Sequence, residues 1–312
     1  MESAIGIDFG GTTIKSGLVR GGAIVARGPV IDTQTCGGPD QIIDALVGVV
    51  EALSSGSPVA VGVGLPGTVD AEAGMVNELT NVAGWRSIPL RALLEKRTGL
   101  VATVENDANA MAYGEWRYGA AQNGRYVVCV TLGTGVGGGL ILDGRLYRGA
   151  QMGAGEIGHM SIDHRGVRGH YGNLGALEKY VGNHQIAERA QALYAQAGHT
   201  RSIEECAPAQ LSANAASGDT VALGLWETVG EEIGSALCSV IWLLNPDTIV
   251  IGGGVARAGA LLFDPIQRTI QQQTGFVFHD RLRVVAATLG NDAGIIGNAS
   301  LALEAAARAR KS

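Results

Sequence analysis

The sequence predicts an α/β protein made of two related domains. Three observations carry this: strands alternate with helical segments, a strand–turn–strand–hairpin order occurs twice, and glycines gather at strand ends. The chain has 312 residues, room for about two domains at roughly 150 each, with 46% hydrophobic and 17% charged residues. Alternation of strand and helix argues for an α/β class.

Ala4 to Asp8 reads as a buried strand, Thr13 to Val19 as a second and Ala23 to Arg27 as a third, with Gly21-Gly22 turning between the last two. Helical spacing runs from Pro39 to Leu53. A strand follows from Val59 to Leu65, then an amphipathic segment around Leu90 to Lys96, then a strand from Val101 to Glu105. The order restarts with a strand at Arg125 to Leu132, a glycine turn from Gly133 to Gly139, and a strand at Leu140 to Leu142 entering an Asp143-Gly144 hairpin. At a constant offset of 123 residues, Gly10 superposes on Gly133, Leu18 on Ile141, Val19 on Leu142 and Gly21 on Gly144. A repeated order of this kind marks two copies of one architecture. Ala176 to Gln196 and Ala222 to Leu244 read as long helices, the second stopped by Asn245-Pro246. Thr248 to Ile251 is a strand running into Gly252-Gly253-Gly254, Arg281 to Thr288 the last strand, and Asp292 to Arg308 a terminal helix expected to pack on the first domain.

A net charge of −6 offers no basic field for a nucleic acid or an anionic membrane. Cys36, Cys129, Cys206 and Cys238 form no CxxC pair, which fits reduced thiols in a cytoplasm. Met1-Glu2-Ser3 and the short apolar run after it carry no basic residue, so a secretory signal is not expected, and no apolar run reaches the roughly 18 residues of a membrane span.

Three motif matches fail on context. Asp8-Phe9-Gly10 spells a protein-kinase metal motif, but it ends the first strand and no catalytic loop precedes it. Gly10 to Ser16 ends in Lys-Ser, yet Ile14 stands where a P-loop needs glycine. Gly133, Gly135 and Gly138 satisfy GxGxxG, but a strand follows where a dinucleotide site needs a helix. What remains is a pair of glycine turns, Gly10-Gly11-Thr12-Thr13 and Gly133-Thr134-Gly135-Val136-Gly137. Small residues let backbone N–H groups approach an anion, so both can cradle phosphate oxygens; a plain tight hairpin is the alternative for either one alone. Asp8, at a strand end, is placed to hold Mg²⁺ directly or through water, or simply to cap a turn. Its counterpart in the second copy is Thr131.

Taken in order, Asp8-Phe9-Gly10-Gly11-Thr12, Leu65-Pro66-Gly67, Glu105-Asn106-Asp107-Ala108-Asn109-Ala110, Leu132 to Gly139, Gly155-Glu156-Ile157-Gly158-His159 and Ile251 to Gly254 resemble the ROK family of sugar kinases and repressors. That family belongs to the actin, Hsp70 and hexokinase superfamily. The resemblance implies two RNase H-like (actin-like ATPase) domains with a central cleft that binds a hexose and ATP. The expected division is residues 1–106 plus 292–312 against 107–291. It implies Asp107 as the catalytic aspartate, a carboxylate that accepts a sugar hydroxyl proton; the plain alternative is a helix N-cap. Asn106, Glu156, His159 and Glu178 match positions that hold sugar hydroxyls, with Gly67 and Asn81 lining the sugar end. For Glu178 a solvated helix start, and for His159 a buried imidazole satisfied by its neighbours, are the alternatives. On the ATP side the implied set is Asp8, Gly10, Gly11, Thr12, Thr13, Lys15, Thr131, Gly133, Thr134, Gly135, Gly253 and Gly254, with Mg²⁺ at Asp8.

Many members carry a zinc site with a C-x-C-G-x-x-G-C-x-E run. Here the stretch is Gly169 to Glu178, which keeps the glycine frame and the glutamate but lacks all three thiolates, so no zinc is expected. Tyr171, Tyr180 and packing at Ala176 are then expected to hold the loop carrying His159 and Glu178. The function implied is ATP-dependent phosphorylation of a hexose, glucose to glucose 6-phosphate, in a cytoplasmic homodimer. N-acylhexosamine, allose or fructose kinases, polyphosphate as donor, and a non-catalytic sugar sensor stay open. With the first strand at residue 4, a DNA-reading helix–turn–helix domain is not expected.

Overall fold

The computed structural model describes residues 1–79, 82 and 84–311. In chain order the strands and helices begin with β1 (Ser3–Phe9), β2 (Thr13–Arg20), β3 (Ala23–Arg27), β4 (Ile31–Asp32), α1 (Pro39–Leu53) and β5 (Ala60–Leu65). They continue with β6 (Thr68–Asp70), β7 (Met75–Glu78), β8 (Arg86–Ile88), α2 (Leu90–Thr98), β9 (Val101–Asn106) and α3 (Asp107–Tyr118). Then come β10 (Val127–Leu132), β11 (Val136–Leu142), β12 (Arg145–Tyr147), α4 (Glu178–Val181), α5 (Asn183–Gln196), α6 (Pro208–Ala216) and α7 (Thr220–Leu244). The chain finishes with β13 (Thr248–Gly252), α8 (Ala260–Gln273), β14 (Arg283–Ala286) and α9 (Ala293–Ala309).

The chain divides into two compact units. One comprises Met1–Asn123, Gly139–Ala154 and Thr288–Ser312, the other Gly124–Gly138 and Gly155–Ala287. The main sheets have the same order, β3-β2-β1-β5-β9 in one case and β12-β11-β10-β13-β14 in the other. In each, an antiparallel run meets parallel strands: β1 pairs with β5 in parallel as β10 does with β13. Asp8 sits opposite Gly64 and Thr131 opposite Gly252, so the offset of 123 residues names equivalent sheet positions.

The alternation in β1 explains its two faces. Ile5, Ile7 and Phe9 are buried in the cluster containing Ile42, Leu46 and Val50 of α1, while Ala4 joins Ile295, Ala299 and Ala302 of α9. Glycines on the second face let α9 lie close to the sheet. A methyl group on Gly6 would overlap the Ile295 carbonyl, and one on Gly62 the Asn298 carbonyl. The terminal helix thus covers the first sheet as the sequence predicts, and α3 crosses it at Gly114 and Gly297, where any added methyl would overlap the other helix's backbone. That packing puts α3 with residues 1–106, whereas the expected boundary fell just before Asp107.

Other elements differ from expectation. Residues Val136 to Gly139 lie in β11, so the glycine turn is confined to Gly133–Gly135. The helix expected over Ala176–Gln196 is two helices, α4 and α5, parted at Gly182, whose extended backbone ends the first. The small antiparallel sheet β6-β7-β8 and helix α6 are not among the elements expected from the sequence. Among the described residues no helix is long and apolar enough to cross a membrane.

Candidate functional site

In the first unit the candidates gather at the carboxyl ends of β1 and β9. Asp8 is half-buried, with Lys15 as its cross-strand neighbour on β2. Burial raises its pKa above the ordinary 3.8, and the Lys15 charge opposes the shift. The carboxylate lies against Gly294 in the first turn of α9, where a methyl group would come within 2.9 Å of Asp8 Cγ. Beyond Asp8 the chain turns at Gly10, whose N–H donates to the Thr13 carbonyl at 2.9 Å, leaving Gly11 and Thr12 exposed at the tip. Thr33 clamps the turn: its N–H donates to the Thr12 carbonyl and its hydroxyl to the Gly11 carbonyl, both at 3.0 Å.

At the end of β9 the helix cap is Asn106. Its Oδ1 accepts from the N–H groups of Ala108 (2.9 Å) and Asn109 (3.2 Å). Asp107 is therefore the first helical residue and not the cap, the alternative weighed for it from sequence. Its Oδ1 accepts from the Ala108 N–H at 2.8 Å. Asn106 Nδ2 points toward the Gly67 carbonyl at 3.5 Å. Asn81 lies outside the described residues.

Sequence reasoning quoted Glu105 but assigned it no role. It is 3% exposed. One oxygen accepts from the Asn106 N–H and from Asn109 Nδ2, both at 3.1 Å; the other takes Arg148 Nε at 2.8 Å and Nη2 at 2.6 Å. A charged residue closing an otherwise apolar strand was the available signal, since buried carboxylates require partners. Nothing local pointed to Arg148, 43 residues away.

In the second unit, Thr131 is the last but one residue of β10 and the chain turns at Gly133, whose N–H donates to the Gly135 carbonyl at 2.9 Å. Gly253 holds the next strand end beside it. Its φ of +90° and the Leu132 carbonyl, which any methyl would overlap, require glycine there. Gly254 is exposed. Glu178 is not a solvated helix start: its Oε2 accepts from the Val136 N–H at 3.1 Å, and a methyl on Gly135 would lie 2.5 Å from that oxygen. One carboxylate thus props the glycine turn.

Glu156 and His159 flank a short 3-10 turn, with His159 Nε2 3.8 Å from Glu156 Oε2. His159 is braced from behind. Asn173 Nδ2 donates to its carbonyl at 2.8 Å and the Tyr171 ring meets its imidazole edge-on at 4.9 Å. Tyr180 accepts from the Val167 N–H at 3.0 Å, and Ala176 is buried. The loop without thiolates is held by these contacts. His159 Nδ1 is buried and meets no partner among the described residues. Among the described residues no three His, Cys, Asp or Glu side chains gather as a metal site.

The chain compares closely with known proteins. A family model described as the ROK family matches residues 4–305. The glucokinase of Thermotoga maritima is 34% identical over 310 residues, covering 96% of this chain and 97% of that protein. Among solved structures, a ROK family glucokinase from Streptomyces griseus in complex with glucose and AMPPNP is 33% identical with a TM-score of 0.81, over 97% of this chain and 99% of the other. A ROK family transcriptional regulator, a homologue of the Escherichia coli MLC protein, is 29% identical with a TM-score of 0.88, over 97% of this chain and 78% of its own.

Proposed function

The chain belongs to the ROK family, and from that premise we propose that it transfers the γ-phosphate of ATP to a hexose, with glucose giving glucose 6-phosphate. It is a sugar kinase. In this reading the sugar hydroxyl oxygen forms a bond to the γ-phosphorus, the bond from that phosphorus to the bridging oxygen breaks, and ADP leaves. Asp107 takes the hydroxyl proton. The observation that carries the assignment is that Asn106 does the capping of α3, so the helix has no structural need of the Asp107 carboxylate as its cap.

In this reading Glu156, His159, the second oxygen of Glu178, Asn106 Nδ2 and Gly67 are the groups that hold sugar hydroxyls. The orphaned His159 Nδ1 supports this: a buried polar atom without a partner is costly unless a ligand supplies one. The two glycine turns, Lys15, Thr131, Gly253 and Gly254 receive ATP through backbone N–H groups, hydroxyls and one ammonium. Asp8 suits Mg²⁺, because a carboxylate oxygen is a hard donor and a cation would relieve the burial that raises its pKa. Bound there, directly or through water, the ion neutralises phosphate charge. A cytoplasmic homodimer completes the proposal.

The similarity to a transcriptional regulator favours one second reading, a sugar sensor without turnover. A panel of hexoses, N-acylhexosamines and fructose assayed for product with ATP and with polyphosphate separates these readings. Rapid ADP release with glucose is expected. Tight glucose binding with no ADP released would replace the kinase by the sensor.

A further inference from the structure

Glu105 and Arg148 form an ion pair with no evident task in the phosphate or sugar sites. Buried ion pairs are poor sources of stability, because desolvation offsets the attraction. Their geometry has a more specific consequence. The Glu105 oxygen that holds the Asn106 N–H and the Asn109 side-chain amide reaches the residue before Asp107 and the second residue after it. Asn106 in turn holds the N–H groups of Ala108 and Asn109. Three residues around Asp107, namely Asn106, Ala108 and Asn109, are thus tied by the side chains of Glu105 and Asn106.

Arg148 makes this tie possible. It gives two N–H groups to a single oxygen of Glu105, which leaves the other oxygen wholly for the strand–helix junction. Arg148 is the cation paired with Glu105; Arg91, on the wall of a cavity of about 650 Å³ that Glu105 and Arg148 also line, spends its guanidinium on the backbone carbonyls of Glu72 and Ala73. Without Arg148 the buried carboxylate lacks the partner that its burial requires and turns outward to water, and the junction loses its brace.

We propose that Glu105 and Arg148 are positioning residues that hold Asp107 in the geometry of proton transfer, acting through the backbone of the β9–α3 junction. The inference rests on the reading of Asp107 as the base. Displacing a reacting group by an ångström can cost about 10²-fold in rate, so Arg148→Met should lower kcat by about 10- to 100-fold. The KM for ATP should stay within about twofold, because neither residue is assigned to that ligand, whereas the KM for glucose should rise with Asn106, which the same junction carries.

The experiment compares the wild type with Arg148→Met, Glu105→Gln/Arg148→Met and Asp107→Asn, reading kcat, both KM values and the urea unfolding midpoint. The double variant removes the unpaired buried charge, so its midpoint should recover toward wild type while kcat stays low. Recovery of kcat together with the midpoint would show that the pair serves stability alone and overturn the proposal, as would a kcat unchanged in Arg148→Met. Wild-type turnover in Asp107→Asn would instead sink the reading of Asp107 itself. An inactive Asp107→Asn beside a fully active Arg148→Met would sink only the positioning role.

Discussion

Replacing Gly133 by alanine tests whether the second glycine turn receives phosphate or merely reverses the chain. Gly133 lies outside the left-handed region of backbone space, and a methyl group on it meets no atom of the protein within 4 Å. Alanine is therefore accommodated in the folded chain, and its effect on stability should stay within about 0.5 kcal/mol, as for an ordinary surface substitution. A phosphate held by this backbone is another matter, since a methyl group there holds the anion away from the N–H groups. A hydrogen bond to a charged group contributes about 1.5–3 kcal/mol. At about 1.4 kcal/mol per factor of ten, losing one raises the ATP KM between about tenfold and a hundredfold. The assay is steady-state ADP formation at saturating glucose with ATP varied, alongside thermal unfolding. A wild-type ATP KM in a normally stable Gly133→Ala protein would make the turn a plain hairpin and remove it from the ATP site. Gly135→Ala is the contrast. Its methyl would stand 2.5 Å from Glu178 Oε2, so it should disturb the Glu178 bond to Val136 and shift both glucose and ATP parameters.

Three further outcomes follow from the geometry. Burial raises the Asp8 pKa, so the folded chain binds that proton more tightly than the unfolded chain; the associated stability is present below the ordinary 3.8 and is lost as pH rises through the folded value. Asp8→Asn should therefore unfold at a higher temperature than wild type at neutral pH, with a flatter pH dependence, while losing phosphoryl transfer; a lower melting temperature at neutral pH would contradict the sign. Gly297→Ala, whose methyl would overlap the Ala110 carbonyl, should cost about 1–3 kcal/mol by overpacking, seen as a lower urea midpoint. A zinc-selective chelator should leave both unfolding and Mg²⁺-supported activity unchanged, and stoichiometric zinc by elemental analysis would overturn the expectation drawn from the missing thiolates.

The fold was legible because its signals are local. In β1, large residues on one face and Ala4, Gly6 and Asp8 on the other declare a strand buried on both sides. The repeated strand–turn–strand order reappears as two sheets with one topology. Gly182 escaped notice because the periodicity of Ala176 to Gln196 continues across it, although the backbone there is extended. Asn106 and Asp107 are both good capping residues, and composition cannot choose between them; the cap geometry does.

By itself the amino-acid order determined the class of fold, the duplicated architecture, the family, and the residue types on which phosphoryl transfer draws, because strand alternation and turn chemistry act over a few neighbouring positions. Only the tertiary structure decided which polar groups are spent on holding the chain. Glu178 props the turn at Val136, Gly294 makes room for Asp8 from 286 residues away, and Arg148 frees one oxygen of Glu105 to brace Asp107's neighbours. Such pairings depend on which buried charges and N–H groups folding brings together, and every one of them must find its partner once water is gone.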